Sequence, residues 1–556
     1  MSMRVKSAIE DIFKKKESQC ADLLNLTLGK GSNNIQTKTH LYEAEWGNTL
    51  SESQQDAINA VIGNATTPGK KIHRIEGPPG CGKSKVVAEL VARVTYEMRK
   101  NDEKKKIAVM TPTNTTAEDN TNNISRVQMP NKAQVRTTWA AARQQVDKIL
   151  SEARHYITAN LAVNNPDYNT YPDPFADKGM MDMLKKLHSK KIKAKLSTEE
   201  QSRYKILHKQ AVKRMFHNAE QVTATACQMG IEIMRADSVS WKMIIIEEAS
   251  MHTEIATMLA LRLHPEQIVL IGDSKQLAAR QLSEEAQKFK LMPLFNRTAL
   301  SPYNNLIGTT MLKEHKRMPK AIAEIISTLF YNGELTYDPV IEAKKLEENA
   351  ALKLWSNPEN PVVFINSDDT TETKEDTSPR NTKEAMRCIR IAYEILKKCP
   401  SLSPADIGIV TMFKGQASAL TECLKHFEDM LKGIQIKTTD KWQGSETKII
   451  IVSATKAKSY RKQLNGFITH PERICVSNSR CTHGLIVVGH EDVLRLNKLW
   501  EQTIDMIQAY GTQLLIPDGY MEDVSANCLS VPCDDCREYR RDNIPYMFEQ
   551  TRNVCV

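Results

Sequence analysis

The stretch Ile75-Glu-Gly-Pro-Pro-Gly-Cys-Gly-Lys-Ser84 constrains this chain more than any other. Gly77, Gly80, Gly82, Lys83 and Ser84 fill the spacing G-x-x-x-x-G-K-[ST] at every fixed position, with Pro78, Pro79 and Cys81 between them. Glycines at that spacing let backbone N–H groups turn toward one centre and approach phosphate oxygens closely. A lysine placed like Lys83 reaches the β- and γ-phosphates of a bound nucleotide, and a hydroxyl placed like Ser84 ligates Mg²⁺. The flanks agree. Lys71–Glu76 reads as a strand, and Ser84–Arg99 as a helix with Val87, Leu90, Val91 and Val94 on one face. Such a helix points the positive end of its dipole at the anion.

The rest of the chain fits an α/β architecture. At 556 residues it is longer than one core organises, so two to four domains are expected. Apolar runs recur at Ile107–Met110, Met243–Ile246, Ile268–Ile271, Val362–Ile365, Ile407–Val410, Ile449–Val452 and Leu485–Val488. Continuous runs of this kind read as strands buried on both faces of a parallel sheet. Polar motifs sit just after several of them, where ligands bind in such sheets. The strand pattern before about residue 300 resembles the pattern after it, which implies two similar lobes. Residues 1–48 read as a short helical segment without a catalytic motif. Residues 140–220 interrupt the rhythm with polar, basic helices, including Lys185, Lys186, Lys190, Lys191, Lys193 and Lys195. Asp368–Arg380 reads as a polar loop, and 501–556 as a tail.

The net charge of +9 makes nucleic acid the first partner to test. No signal-peptide core and no membrane-length apolar run are visible, so cytoplasm or nucleus is expected. Twelve scattered cysteines suit a reducing compartment.

Two further stretches carry chemistry. Ile244-Ile-Ile-Glu-Glu-Ala-Ser250 is a buried strand ending in two carboxylates. Beside a phosphate loop, Glu247 would orient Mg²⁺ through water and Glu248 would polarise the attacking water. Without that loop, two acids after a strand are more often a solvated helix start. Ile271-Gly-Asp-Ser-Lys-Gln-Leu277 follows another strand. There Gln276 is placed to report a γ-phosphate and Asp273 to brace the loop, although an ordinary strand-to-helix turn would look the same. Cys528, Cys533, Cys536 and Cys555 invite a zinc reading, but their spacing is irregular and reduced tail cysteines are the default. The lysine run is read equally well as a solvated face or as a nucleic-acid contact.

Together, and in this order, these pieces resemble a superfamily 1 helicase of the up-frameshift (nonsense-mediated-decay) RNA helicase type, over about residues 49–500. Leu50-Ser-Glu-Ser-Gln54 resembles that family's adenine-reading motif, with Gln54 as reader. Pro112, Thr113 and Asn114, and then Thr225, match motifs that touch the nucleic-acid backbone. Glu314-His-Lys-Arg-Met318 places Arg317 as the arginine that reaches the phosphates. Thr411 opens a second-lobe motif ending in Gln416. Gln443, Gly444 and Glu446 match the pattern joining ATP to nucleic-acid binding, and Arg480 matches a second arginine finger. The 140–220 stretch resembles this branch's helical insertion.

The resemblance implies two RecA-like parallel-sheet lobes of the phosphate-loop NTPase type, spanning 49–300 and 301–500, the first bearing the insertion. It further implies ATP and Mg²⁺ in the cleft, single-stranded RNA or DNA across the top, a monomer, and ATP hydrolysis coupled to movement along the strand. RNA comes first because this branch favours it. Some positions depart from the family pattern. Glu247 stands where aspartate is usual, Lys316 replaces an aromatic residue, and Cys475, Cys481 and Thr482 differ in the last motif. These departures keep a second reading open: an ATP-gated RNA- or DNA-binding remodelling module with little turnover. An AAA+-type ATPase is a third, but it leaves Gln443, Gly444 and Gln54 unexplained.

Overall fold

The computed structural model describes residues 50–65, 71–113, 219–229, 239–279, 292–300, 307–375, 377–457 and 464–517, with short pieces between 116 and 127 and between 197 and 216. The lysine run at 185–195, the tail cysteines, the N-terminal segment and Asn114 lie outside the described residues. The chain divides into two compact units. One comprises the chain through Gly77, then Gly82–Ser274 and Ala278–Leu312. The other comprises Pro78–Cys81, Lys275–Leu277 and the chain from Lys313 on.

The first unit holds a six-stranded sheet. Its strands are β1 (Lys71–Glu76), β2 (Lys106–Thr111), β3 (Gln221–Thr225), β4 (Trp241–Ile246), β5 (Gln267–Gly272) and β6 (Gly308–Met311), in the order β3-β2-β4-β5-β1-β6. All the pairings are parallel. Helices α1 (Glu52–Ala65), α2 (Lys83–Lys100) and α3 (Glu254–Leu261) belong to this unit. Ile244, Ile246, Ile268 and Leu270 are buried in its core, as continuous apolar strands of a covered sheet should be. Helix α2 buries Val87, Leu90, Val91 and Val94, the stripe expected from spacing. Strand β1 is less apolar yet fully buried. Its Arg74 stacks on the Phe295 ring, 4.4 Å from the centroid, and pairs with Glu76. β6 pairs with β1, so the change of unit falls at Leu312/Lys313, later than the boundary near 300 expected from sequence.

In the second unit β7 (Glu314–His315) pairs with β8 (Thr336–Tyr337), and the main sheet runs β13-β12-β14-β15-β9. These five strands are β9 (Val362–Asn366), β12 (Ile407–Thr411), β13 (Gln435–Thr438), β14 (Thr447–Ser453) and β15 (Cys481–Gly489), all parallel. Helices α4 (Lys320–Phe330), α5 (Pro339–Leu352), α6 (Thr382–Lys398), α7 (Lys414–Leu424), α8 (Pro471–Asn478) and α9 (Lys498–Ala509) accompany them. Ile389, Ile391 and Ile395 of α6 join Ile409, Ile449, Ile451 and Ile486 in one core. Two sequence expectations need correction here. The loop expected at 368–380 contains an antiparallel hairpin, β10 (Thr373–Glu375) with β11 (Ser378–Arg380). The expected tail begins as helix α9, anchored by buried Trp500, Ile504 and Ile507. Among the described residues, no helix is long and apolar enough to cross a membrane.

Candidate nucleotide site and the arginines of the second unit

Strand β1 delivers the glycine loop and β4 delivers the two acids, with β5 between them in the sheet. Both sites therefore open at the carboxyl end of one parallel sheet, where ligands bind in such folds. Gly80 and Gly82 adopt φ of 78° and 79°, a region L-residues seldom enter. A Cβ on Gly82 would also lie 2.6 Å from Gln54 Nε2, so the predicted adenine reader packs directly on the loop. Gln54 is buried, and its Oε1 accepts the Ser51 N–H at 3.1 Å. No side chain caps α2, whose N-cap is Gly82, which leaves its dipole end for an anion.

Lys83 Nζ donates to the Gly77 carbonyl at 2.8 Å and lies 3.8 Å from Glu248 Oε1. Ser84 Oγ donates to Glu247 Oε1 at 2.8 Å. The other oxygen of Glu247 accepts from Asn120 Nδ2, and its backbone carbonyl accepts from His252 Nε2 at 3.2 Å. Burial pushes the Glu247 carboxyl up to about 7, and the charge of Glu248 adds to this, while Asn120, Ser84 and Lys83 act the other way. Burial likewise holds His252 down to about 4, so its ring is neutral. Glu248 sits at φ 48°, strained for a residue with a side chain, and its Oε2 is buried with no hydrogen-bond partner. Asp273 is buried beside Glu76, and burial and then its charge raise the Glu76 carboxyl. Glu76 Oε1 in turn accepts the Ser274 N–H at 2.6 Å.

Mg²⁺ prefers oxygen ligands and keeps several waters and substrate oxygens in its shell. One hydroxyl and one carboxylate, 2.8 Å apart, are what a protein must contribute to such an ion, so Ser84 and Glu247 fit it. Among the described residues there is no cluster of three His, Cys, Asp or Glu for a metal held by protein alone.

The second unit carries the arginines. Arg317 Nε donates to Glu446 Oε2 at 2.5 Å, and its Nη1 donates to the Ser479 carbonyl at 3.4 Å. Arg480 is buried. Its Nε donates to the Val476 carbonyl at 3.1 Å, and its Nη2 to Ser479 Oγ at 2.9 Å and Gln276 Oε1 at 3.0 Å. Both guanidiniums thus meet at Ser479. Lys345 Nζ braces them from behind through the Arg317 and Thr482 carbonyls, at 2.5 and 3.0 Å. His315 Nε2 accepts the Met318 N–H at 2.6 Å, so Nδ1 carries the proton and donates to the Pro79 carbonyl at 2.8 Å. Burial first, then neighbouring cations, hold this histidine down to about 3 and keep it neutral. Its ring leaves room for nothing larger than glycine at residue 80, since a Cβ there would lie 2.4 Å from Cε1. Gln443 has both amide atoms buried without a hydrogen-bond partner, and Gly444 takes φ 81°.

The predicted nucleic-acid contacts fall at strand ends. Pro112 and Thr113 follow β2, and Thr113 Oγ1 accepts the Thr116 N–H at 3.1 Å. Thr225 ends β3 and Thr411 ends β12, but Thr411 is fully buried, its Oγ1 3.3 Å from Thr455 Oγ1, which corrects its expected place at the strand surface. Asn120 and His252 were not singled out from sequence. Neither belongs to a recognisable motif, and Asn120, 127 residues from Glu247, reaches it only through the fold.

Two family models, each described as an AAA domain, match residues 49–284 and 293–492, together most of the chain. The regulator of nonsense transcripts 1 homolog of Neurospora crassa is 27% identical over 461 residues, 82% of this chain and 38% of that protein. The ATP-dependent helicase upf1 of Schizosaccharomyces pombe is 26% identical over 461 residues, 81% of this chain and 46% of that protein. With these matches the chain is similar to the superfamily 1 helicases of the up-frameshift branch. A further helicase relative, sen1 of Schizosaccharomyces pombe, is 27% identical over 306 residues, 54% of this chain and 18% of that protein. Among solved structures, the PRRSV helicase aligns with 78% of this chain and 54% of its own, at 13% identity and a TM-score of 0.33. The chain spans less than half the length of these curated helicase relatives.

Proposed function

We propose that this chain is a nucleic-acid-stimulated ATPase that moves along single strands, RNA in preference to DNA, as a helicase or translocase. The observation that carries the reading is the unpartnered Glu248 Oε2, buried beside Lys83 and the Ser84–Glu247 pair. A carboxylate oxygen kept out of water with nothing to bind is costly unless a reaction uses it. In the reaction, Glu248 takes a proton from water as the water oxygen bonds to the γ-phosphorus. The bond to the β–γ bridging oxygen breaks, and ADP leaves. Lys83 turns from the Gly77 carbonyl to the β- and γ-phosphate oxygens. Ser84 and, by way of water, Glu247 would hold Mg²⁺, whose charge would offset that of the phosphates. Arg317 and Arg480 add positive charge as it builds on the transferring group. Gln276 reports the state of that group, Gln54 reads adenine, and Gln443, Gly444 and Glu446 link the nucleotide to the strand. Pro112, Thr113, Asn114 and Thr225 hold the strand's backbone, which makes binding tolerant of sequence, and the fully buried Thr411 is not among them. The same reading has the protein act as a monomer in cytoplasm or nucleus.

Displacement of the short strand from a tailed duplex tests this. ATP-dependent release from an RNA-tailed substrate, lost in Glu248→Gln, is the expected result. Tight ATP-dependent strand binding without multiple turnover would favour the remodelling module instead.

A further inference from the structure

Helix α5 inverts the usual pattern of a surface helix. Its apolar Val340 and Leu346 are exposed, while the two residues it buries are Lys345 and Asn349. An ordinary surface helix buries an apolar stripe instead. Residues of α4, of α5 and of the stretch 358–360 line a cavity of about 360 Å³ in the second unit. That volume falls within the range of roughly 300–1,000 Å³ that ligand sites occupy. Lys320, Ala343 and Glu359 form its exposed rim, and Ala321 and Asn349, each 1% exposed, form its floor.

Asn349 is the telling residue. Among the described residues, neither its Nδ2 nor its Oδ1 has a hydrogen-bond partner. A buried amide with both ends unused is costly, and such a group marks a partner that is not yet in place. Glu342 lies seven residues earlier, two turns along the same face of α5. Its Oε2 accepts the Lys320 N–H at 2.9 Å, but its Oε1 is buried without a partner. The two lysines of the wall are engaged elsewhere. Lys345 Nζ donates to the Arg317 and Thr482 carbonyls, and Lys320 Nζ lies 3.7 Å from Glu324 Oε1. Glu359 adds a third carboxylate to the lining.

We infer that this cavity binds a short basic segment of a partner protein. An asparagine amide with donor and acceptor both open matches the C=O and N–H of a peptide unit. Glu342, with Glu359 at the rim, takes an arginine or lysine head by charge-assisted hydrogen bonds, and Leu346 and Pro358 take its apolar stem. Carboxylates gathered in this way on a chain of net charge +9 repel phosphates, so nucleic acid is the wrong occupant. The site is independent of the ATP chemistry proposed for the glycine loop.

The test is fluorescence anisotropy of a labelled pentapeptide, Gly-Ala-Arg-Ala-Gly, titrated with the full chain. Saturable binding is expected, weakened severalfold when norleucine replaces the arginine. Asn349→Leu, of similar size and apolar, should weaken binding roughly tenfold, as expected for two lost hydrogen bonds. It should also melt no lower than wild type, because it removes an orphaned amide. Glu342→Gln should reduce the preference for arginine over norleucine. If Asn349→Leu does not fold, Ala343→Trp carries the test, since it closes the exposed rim and should abolish binding. No binding by the wild type, or equal binding by the wild type and the disabling variant, would overturn the inference. So would a folded Asn349→Leu protein that melts lower, which would show the amide satisfied within the fold. Agmatine, a guanidinium without a peptide unit, binding as tightly as the peptide would replace the partner segment with a free cation. Displacement of the peptide by oligo-uridine would make the cavity part of the strand site, and either result would contradict the inference.

Discussion

Glu247 and Glu248 are neighbours with opposite circumstances, and the difference supports the separate roles proposed for them. Both oxygens of Glu247 are taken, by Ser84 and Asn120, whereas Glu248 keeps Oε2 unpartnered in a strained turn. Glu248→Gln retains the shape and removes the base, so kcat should fall about 10²–10⁴-fold while ATP still binds. Glu247→Asp should retain or raise turnover and Glu247→Ala should lose metal-dependent turnover, both read from kcat against Mg²⁺ concentration. Asn120→Leu leaves a Glu247 oxygen buried without its donor, which costs about 1–3 kcal/mol of stability in a thermal melt. An unchanged melt would show that Asn120 does not hold Glu247. The two acids were legible in the sequence because they follow an apolar strand. Their division of labour was read from their order beside a phosphate loop, whereas the burial and partners that support it arise from residues far away in the chain.

At the level of elements, the strands read from apolar runs were all present, because a strand covered on both faces must be apolar along its length. β3, β6 and β13 escaped notice. β6 is Gly-Thr-Thr-Met and β13 is Gln-Ile-Lys-Thr, edge strands with little apolar signal. The hydrogen bonds that buried Glu384 of α6 accepts from Ser367, Ser453 and Thr455 were invisible for another reason: these are ordinary polar residues spread along the chain. They have a consequence for stability. Burial pushes the Glu384 carboxyl up to about 7, against the pull of Ser453 and Thr455. The folded state then holds a proton that the unfolded chain releases near pH 4.5. The corresponding stability is full below that pH and is lost as pH rises through about 7. The loss is at most about 3 kcal/mol for a shift of this size. Thermal midpoints of the wild type should therefore fall across this window, and Glu384→Gln should fall less. Glu247, raised to about 7 in the first unit, leaves part of the slope in both proteins. Identical slopes would show that Glu384 is charged throughout.

Over the whole molecule, a charge of +9 is modest for 556 residues, so strand binding must come from where the cations lie. Lys190, Lys191 and Lys193 lie in the stretch 185–195, which holds six lysines in eleven residues. Neutralising all three should weaken strand binding and reduce the slope of log K against log salt, with each lost phosphate contact lowering it by roughly 0.7–0.9. An unchanged slope returns the run to a solvated face. The claim beneath all of these is that the glycine loop drives an ATPase that a nucleic-acid strand switches on. Steady-state ATP turnover by the purified chain, with and without matched single-stranded RNA and DNA and beside Lys83→Ala, tests it most directly. The account predicts severalfold stimulation, RNA above DNA, and a Lys83→Ala rate lower by about 10²–10³. Turnover indifferent to either strand, or a Lys83→Ala protein as fast as wild type, would contradict it.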